Sequence, residues 1–164
     1  MVRVGVLTAS DRSAAGERED VSGRVIADRC ERSGHHVVQR AVVADDRDEI
    51  AQTMRDWCDS GGMDVLLTTG GTGLTARDVT PEATRDVGER DVPGIPIALA
   101  VAGLAKTPYA ALSRGIAVTR ADTLIVNLPG SPKAVAEGMD VLLPLFDHIA
   151  QLLAGPLDHQ ADEL

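Results

Sequence analysis

Apolar residues follow two patterns along the chain: short continuous runs, and sets spaced three or four positions apart. Continuous runs are typical of buried strands, and spaced sets are typical of amphipathic helices. The runs predict strands at residues 2–8, 36–43, 64–69, 116–119 and 123–128. The spaced sets predict helices at residues 21–33, 47–59, 80–89, 95–105 and 133–153, with a polar loop at 9–20 and a turn at 110–113. This alternation predicts a three-layer α/β/α sandwich with a mostly parallel central sheet.

Helix-start residues refine three of these boundaries. Asp45 or Asp46 can serve as the N-cap of the helix at 47–59, because a carboxylate accepts the unpaired N–H groups of a first turn. Thr80 fits an N-cap with a proline at the first helical position. Ser131, followed by a proline, can cap the last helix, and such a helix start is a natural anion site.

Length and composition indicate a globular chain. The 164 residues, 44% of them apolar and 25% charged, predict a single domain over residues 1–155 and a frayed tail over 156–164. The net charge of −9 argues against a nucleic-acid partner, as do the single Trp, Tyr and Phe. A small anionic ligand remains compatible, because a local site can be positive on an acidic protein.

The sequence also bears on location and on the cysteines. No window approaches the ~20 consecutive apolar residues of a membrane helix, and the first residues look like a strand rather than a cleaved leader. We therefore expect a cytoplasmic protein with no membrane partner. Cys30 and Cys58 lack the spacing of metal ligands, so we expect small buried hydrophobic residues.

Three polar loops follow predicted strands, at residues 10–12, 69–78 and 129–133. Parallel sheets bind ligands beyond the carboxyl ends of their strands, so we expect these loops to form one site. The middle loop contains Gly70, Gly71 and Gly73, which lack a Cβ that would hold a ligand away from backbone N–H groups. It has neither a Walker A ending nor a dinucleotide fingerprint, and a simple tight turn is the alternative to a phosphate site.

Acidic and basic residues near these loops are the candidates for metal and phosphate chemistry. Asp78 can hold Mg²⁺ beside substrate phosphates; the alternatives are an exposed loop acid or a helix cap. Asp45 is near the same edge, or is only a helix cap. Glu82 lies in the first turn of a predicted helix. It is either a further candidate for this chemistry or only an acidic residue placed favourably in the helix dipole. The basic candidates are Arg12, Arg114 and Lys133, each with a solvated surface charge as its alternative. No histidine has a catalytic partner by spacing, and neither a hydrolase nor a zinc motif is present.

Five segments together resemble the Mog/MoaB family of molybdenum-cofactor biosynthesis, which includes the G domains of gephyrin and its plant counterpart. They are residues 8–12 (TASDR), 68–73 (TTGGTG), 77–84 (RDVTPEAT), 107–114 (TPYAALSR) and 127–132 (NLPGSP). The segments occur in the family order and the likeness covers roughly residues 4–153. The glycine segment alone is less specific, because molybdenum-insertase domains share it.

The resemblance implies a molybdopterin-binding-domain fold and molybdopterin adenylyltransferase activity, in which Mg-ATP and molybdopterin give adenylyl-molybdopterin and pyrophosphate. It implies that Asp45 and Asp78 are the catalytic and Mg²⁺-binding residues. The implied nucleotide-binding residues are Ser10, Asp11, Thr69, Gly70, Gly71, Thr72 and Gly73. The implied molybdopterin-binding residues are Ser113, Arg114, Pro129, Gly130, Ser131 and Lys133. It also implies a homotrimer and a possible contact with the molybdenum insertase.

The chain departs from the family pattern at Ile97 and Ala100, where bacterial relatives often carry Glu and Arg. This departure is compatible with a different trimer contact or with a MoaB-like paralogue. A carrier that binds molybdopterin without turnover is the second hypothesis, and an assembly scaffold is the third. The intact pair of Asp45 and Asp78 favours the enzyme.

Overall fold

The computed structural model describes residues 1–155, so the predicted tail at 156–164 lies outside the described residues. The strands are β1 (Arg3–Ala9), β2 (His36–Val43), β3 (Val65–Thr69), β4 (Arg90–Asp91), β5 (Ala117–Arg120) and β6 (Thr123–Leu128). The helices are α1 (Asp11–Ala14), α2 (Val21–Arg32), α3 (Arg47–Asp59), α4 (Thr80–Val87), α5 (Gly94–Leu104), α6 (Pro132–Leu142) and α7 (Phe146–Leu153). Two 3₁₀ helices span Pro108–Leu112 and Leu143–Leu145.

The strands form one sheet in the order β2-β1-β3-β6-β5-β4. The first four strands in that order run parallel, whereas β5 runs antiparallel to both of its neighbours. The predicted α/β class with a mostly parallel sheet is therefore confirmed.

Each face of the sheet carries its own apolar core, because successive side chains of a strand point to opposite sides. On one face, Val4 and Val6 of β1 belong to a cluster that also contains residues of α2, α5, α6 and α7. On the other face, Leu7 and Ala9 of the same strand join residues of α3 and α4. The helices thus form a layer on each side of the sheet, and all four of these β1 side chains are buried.

The structure corrects the predicted elements at three places. The loop predicted at 9–20 contains the short helix α1, whose N-cap Ser10 accepts a hydrogen bond from the N–H of Ser13. The helix predicted at 133–153 is interrupted, because Pro144 has no N–H to donate and its ring disfavours a continuous helix. Strand β4 was not predicted, since its two residues carry no apolar pattern and pair only with β5.

The structure also tests the N-caps predicted for α3, α4 and α6. Asp46, not Asp45, caps α3 by accepting a hydrogen bond from the N–H of Glu49. The prediction of Thr80 as a cap is wrong, because Val79 occupies that position without a side-chain hydrogen bond and Thr80 begins the helix itself. Ser131 caps α6, as predicted. Asp45 therefore does not cap α3.

Two further expectations concern the core and the membrane. Cys30 and Cys58 are buried as predicted, and burial raises the pKa of these thiols to about 12 and about 11. Within residues 1–155, no helix combines the length and apolar character required to cross a bilayer.

The reversed direction of β5 has a direct consequence for the position of the residues before it. A strand that runs antiparallel begins at the edge where its parallel neighbours end. Residues 113–116, which lead into β5, therefore lie at the carboxyl edge of β1, β3 and β6. The turn at 121–122, which joins β5 to β6, lies at the opposite edge.

Candidate functional site

Loops that follow β1, β3 and β6 meet at the carboxyl edge and surround a cavity of about 390 Å³. It is lined by Thr8, Ala9, Ser10, Ser13, Arg18, Glu19, Asp20, Val21, Ser22, Asp45, Thr69, Gly70, Gly71, Asp78, Gly130, Ser131 and Pro132. Most of these residues are polar, charged or glycine. We call this space the polar cavity.

A second cavity of about 730 Å³ lies beside the first, against α5, the 3₁₀ helix Pro108–Leu112 and α6. Its wall is mainly apolar and includes Leu99, Ala111 and Leu128. We call this space the apolar cavity. The two cavities share a wall formed by Gly71, Asp78, Gly130 and Ser131. A bipartite ligand, or two reactants placed end to end, could occupy both spaces and meet at that wall.

The glycine loop is held in a conformation that other residues would not adopt. Gly70 has a φ of +90°, and a Cβ there would lie 2.3 Å from the carbonyl oxygen of Ala9. Gly71 has a φ of +65°, and its Cβ would lie 2.3 Å from Oγ1 of Thr80. Both positions combine a positive φ with close contact, so the glycines are required for local backbone packing.

The same loop is joined to the loop after β6. Thr69 donates its hydroxyl to the carbonyl of Pro129 at 2.7 Å, and the N–H of Gly70 donates to Leu128 at 3.2 Å. The N–H of Gly70 is thus already engaged. Among the described residues, no acceptor is found for the N–H groups of Gly71 and Thr72. These two groups are the backbone donors best suited to an anionic ligand.

Asp45 lies at the end of a short chain of hydrogen bonds from the β1 loop. The N–H of Asp11 donates to Asp45 Oδ2, and the N–H of Asp45 donates to Asp11 Oδ1, both at 2.9 Å. Arg77 donates to both carboxylate oxygens of Asp11, and these bonds lower the pKa of Asp11. Burial, with the nearby charges of Asp11 and Asp78, raises the pKa of Asp45. Asp11 therefore orients Asp45 and does not line the cavity itself.

Asp78 is held by the loop in which it lies. Its Oδ2 accepts hydrogen bonds from the N–H of Thr75 at 2.9 Å and from the hydroxyl of Thr75 at 2.7 Å. Burial acts to raise the pKa of Asp78, but these bonds and the N–H of Gly73 outweigh it and leave that pKa below its usual value. A Cβ at Gly73 would lie 2.9 Å from Asp78 Oδ2, so the loop closes tightly around an ionised carboxylate.

The donor set suits a hard cation. Asp45 and Asp78 both line the polar cavity. The Thr80 hydroxyl is buried close to the Gly71 backbone and has no hydrogen-bond partner in the described part of the chain. Within residues 1–155, no three or more His, Cys, Asp or Glu side chains are grouped so that they could hold a metal ion by themselves. Mg²⁺ commonly uses one or two carboxylates and takes its other ligands from phosphates and water, so two carboxylates fit this ion.

The implied molybdopterin-binding residues fall into two groups. Ser113, Pro129, Gly130 and Ser131 line the apolar cavity. Arg114 and Lys133 line neither cavity. Lys133 is exposed on the first turn of α6. The side chain of Arg114 contacts the glycine loop and Glu82.

Of the implied nucleotide-binding residues, Ser10, Thr69, Gly70 and Gly71 line the polar cavity, whereas Thr72 and Gly73 line the apolar one. Arg12, a basic candidate, is exposed and lines neither cavity.

The sequence predicted the start of α2 at Val21 but not that this helix start forms one side of the polar cavity. Asp20 caps this helix and accepts hydrogen bonds from the Thr8 hydroxyl at 3.0 Å and from the N–H of Gly23 at 2.9 Å. Arg40 pairs with the other oxygen of Asp20 at 2.9 Å. The position of Asp20 directly before an apolar-periodic segment was the available signal.

The apolar cavity was also missed, because it depends on how α5 packs across the end of the sheet. Ile97 and Ala100, the two positions at which the sequence indicated a departure from the family pattern, lie in its wall. Helix α5 contains no polar side chain, yet Ile97 and Val101 are 62% and 66% exposed. The unusual residues thus border both the candidate site and an exposed apolar surface.

Comparison with known proteins gives consistent similarities. A family model described as a probable molybdopterin binding domain matches residues 5–148. A molybdopterin adenylyltransferase from Helicobacter pylori strain J99 is 37% identical over 156 residues, covering 94% of this chain and 89% of that protein. The molybdenum cofactor synthesis protein cinnamon from Drosophila melanogaster is 40% identical over 153 residues, and the match covers 93% of this chain but 26% of that protein.

Among solved structures, the molybdopterin biosynthesis enzyme MoaB from Thermus thermophilus is similar with a TM-score of 0.88 and 45% sequence identity. The match covers 95% of this chain and 98% of that one. The shared fold therefore extends over both the sheet and the loops at its carboxyl edge.

Proposed function

Because the chain belongs to the family of probable molybdopterin binding domains, we propose that it is a molybdopterin adenylyltransferase. It catalyses the transfer of an adenylyl group from ATP to molybdopterin in molybdenum-cofactor biosynthesis. Relatives with that name are 36–37% identical over most of the chain. The observation that carries the proposal is the pair of adjoining cavities, one polar and one mainly apolar, with a common wall of glycine-loop backbone and a carboxylate.

The reaction joins two phosphate-bearing molecules. An oxygen of the molybdopterin phosphate attacks the α-phosphorus of ATP and forms a new P–O bond. The bond between the α-phosphorus and the oxygen that bridges it to the β-phosphorus breaks. Pyrophosphate leaves, and adenylyl-molybdopterin is the product. The reaction requires no protein nucleophile, so the residues act by positioning the two anions and stabilising charge.

We assign the polar cavity to the nucleotide and the apolar cavity to the pterin. The N–H group of Gly71, which lines the polar cavity and has no acceptor within residues 1–155, provides a donor for a phosphate oxygen. Flat ring systems gain most from an apolar wall, which the second cavity supplies. Ser131 and Gly130 line both spaces, so the reacting phosphates would meet there.

Asp45 and Asp78 are the residues that would hold Mg²⁺. When bound, the ion would neutralise phosphate charge and polarise the phosphoryl oxygens. The chain's own contribution is to keep both carboxylates in place: Asp45 through its exchange of hydrogen bonds with Asp11, and Asp78 through Thr75. A carboxylate held in this way needs little rearrangement when the substrates bind.

The direct test is to incubate the protein with Mg-ATP and molybdopterin and to detect adenylyl-molybdopterin and pyrophosphate. Formation of both supports the enzyme. Binding of molybdopterin without Mg-dependent consumption of ATP would favour the carrier and contradict the proposal.

A pair of variants tests the role of the carboxylate. Asp78→Asn should lower kcat far more than it weakens molybdopterin binding, because the carboxylate acts in transfer. Asp122→Asn is the matched control, since it neutralises an exposed carboxylate in the turn between β5 and β6. Equal losses of kcat and binding in Asp78→Asn would contradict the metal role.

The proposal extends to assembly. We propose a homotrimer, which the exposed apolar side chains of α5 support, and sedimentation equilibrium tests it. A contact with the molybdenum insertase is a further proposal; its support is that the match covers only 26% of the cinnamon protein, a molybdenum cofactor synthesis protein in which a domain of this kind is joined to further sequence. The single domain at 1–155 and the cytoplasmic location remain predictions, which limited proteolysis and cell fractionation would test.

A further inference from the structure

Arg114 contacts both ends of the segment from Thr72 to Asp78. Its main-chain N–H donates to the carbonyl of Thr72 at 2.9 Å, and its Nε donates to the carbonyl of Gly73 at 2.7 Å. Its Nη2 donates to the carbonyl of Asp78, also at 2.7 Å. One residue therefore connects the start of the loop to the residue proposed to act in catalysis.

Glu82 fixes the guanidinium in this orientation. Its two carboxylate oxygens accept from Nη1 and Nη2 of Arg114. Glu82 lies in the first turn of α4, so the arrangement also ties the loop to that helix. A planar guanidinium can serve a carboxylate and two carbonyls at once, which the single ammonium group of lysine does not reproduce.

These contacts leave the guanidinium little capacity for a substrate. A guanidinium has five N–H donors. Contacts within residues 1–155 use Nε, both donors of Nη2 and one donor of Nη1. Arg114 also lies outside the walls of both cavities. An incoming phosphate would have to displace Glu82 or the loop carbonyls to gain more than one hydrogen bond.

We infer that Arg114 is a positioning residue, which with Glu82 clamps the loop from Thr72 to Asp78 and so fixes the Asp78 carboxylate between the two cavities. This role differs from the binding of molybdopterin implied for Arg114 by family resemblance. The inference rests on the proposed function for its kinetic consequence. Its structural consequence, an ordered loop, is independent of that function.

The test compares Arg114→Lys with Arg120→Lys. Arg120 makes the same kind of contacts away from the site, because it pairs with both oxygens of Asp59 and donates to the carbonyl of Val87. For both variants we would measure amide hydrogen exchange across residues 72–78, together with kcat and the KM for each substrate. Glu82→Gln provides a second, milder disruption of the same clamp.

Arg114→Lys should accelerate exchange in residues 72–78 and lower kcat by about 100-fold, as expected when a catalytic group shifts by about 1 Å. The KM for molybdopterin should stay close to the wild-type value. Glu82→Gln should change both in the same direction by less, and Arg120→Lys should leave both unchanged. Added methylguanidinium should restore part of the kcat of Arg114→Ala, because it can occupy the vacated position.

Two results would overturn the inference. One is unchanged exchange in residues 72–78 of both Arg114→Lys and Glu82→Gln. The other is a raised KM for molybdopterin with kcat unchanged, which would mean that Arg114 binds the substrate. If the wild-type protein forms no adenylyl-molybdopterin, the proposed function fails, and the exchange comparison still decides whether the clamp exists.

Discussion

Replacing Gly70 by alanine tests whether close backbone packing fixes the glycine loop. Two costs add at this position. The φ of +90° places alanine in a left-handed conformation, which costs about 1–2 kcal/mol. The new methyl would also lie 2.3 Å from the Ala9 carbonyl oxygen. Relieving such an overlap costs about 1–3 kcal/mol in a packed region.

Replacing Gly34 by alanine measures the conformational cost without the steric one. Gly34 has a similar φ of +80°, but no atom lies within 4 Å of the position that a Cβ would take. Gly34→Ala should therefore lower the free energy of unfolding by about 1–2 kcal/mol. Gly70→Ala should lower it by about 2–5 kcal/mol, because the obstructing atom belongs to the backbone of the paired strand β1.

Urea unfolding followed by Trp57 fluorescence measures both values, since this single tryptophan packs against the core under α3. Gly70→Ala should also lose activity, because the shift of the loop moves the shared wall of the cavities. Equal losses of stability in the two variants would refute the reasoning, since the overlap with Ala9 would then contribute nothing.

Three further predictions concern single side chains. Thr80→Val should raise the free energy of unfolding by about 1 kcal/mol in chemical denaturation, because a buried hydroxyl that has no hydrogen-bond partner among residues 1–155 is replaced by an apolar group of the same shape. A loss of stability would contradict this. Cys30 and Cys58 should resist a thiol reagent at pH 8 in the native protein and react in denaturant, because both are buried and protonated. Burial raises the pKa of Asp64, but its bonds from Arg3 outweigh that effect and leave the pKa below its usual value. The stabilisation by Asp64 is therefore complete above the unfolded pKa of about 3.9 and lost as the pH falls through the folded pKa. Asp64→Asn should cost about 1 kcal/mol at pH 7 and progressively less below pH ~3.9, as measured by thermal unfolding across that range.

The sequence predicted the layers because apolar periodicity reports directly on burial. The runs at β1, β3 and β6 are buried along almost their whole length, and each was recognised. Strand β4 has two exposed residues whose strand character comes only from pairing with β5. The break after α6 was missed because the apolar pattern continues past Pro144 into α7.

The part of the site that could be predicted follows from one rule, that parallel sheets bind ligands beyond the carboxyl ends of their strands. That rule placed the three loops together, and the polar cavity lies where they meet. It could not supply the apolar cavity, whose wall depends on the packing of α5 against α6. Nor could it supply the clamp at Arg114, because the approach of this residue to the loop depends on the reversed direction of β5.

The reversal of β5 also provides a position for a reporter. The turn at Ala121 and Asp122 is exposed and lies at the edge of the sheet opposite the cavities. A short peptide tag inserted between these two residues would lengthen a hairpin turn without entering either substrate space. A fluorophore there would test the proposed self-association without disturbing the cavities at the other edge.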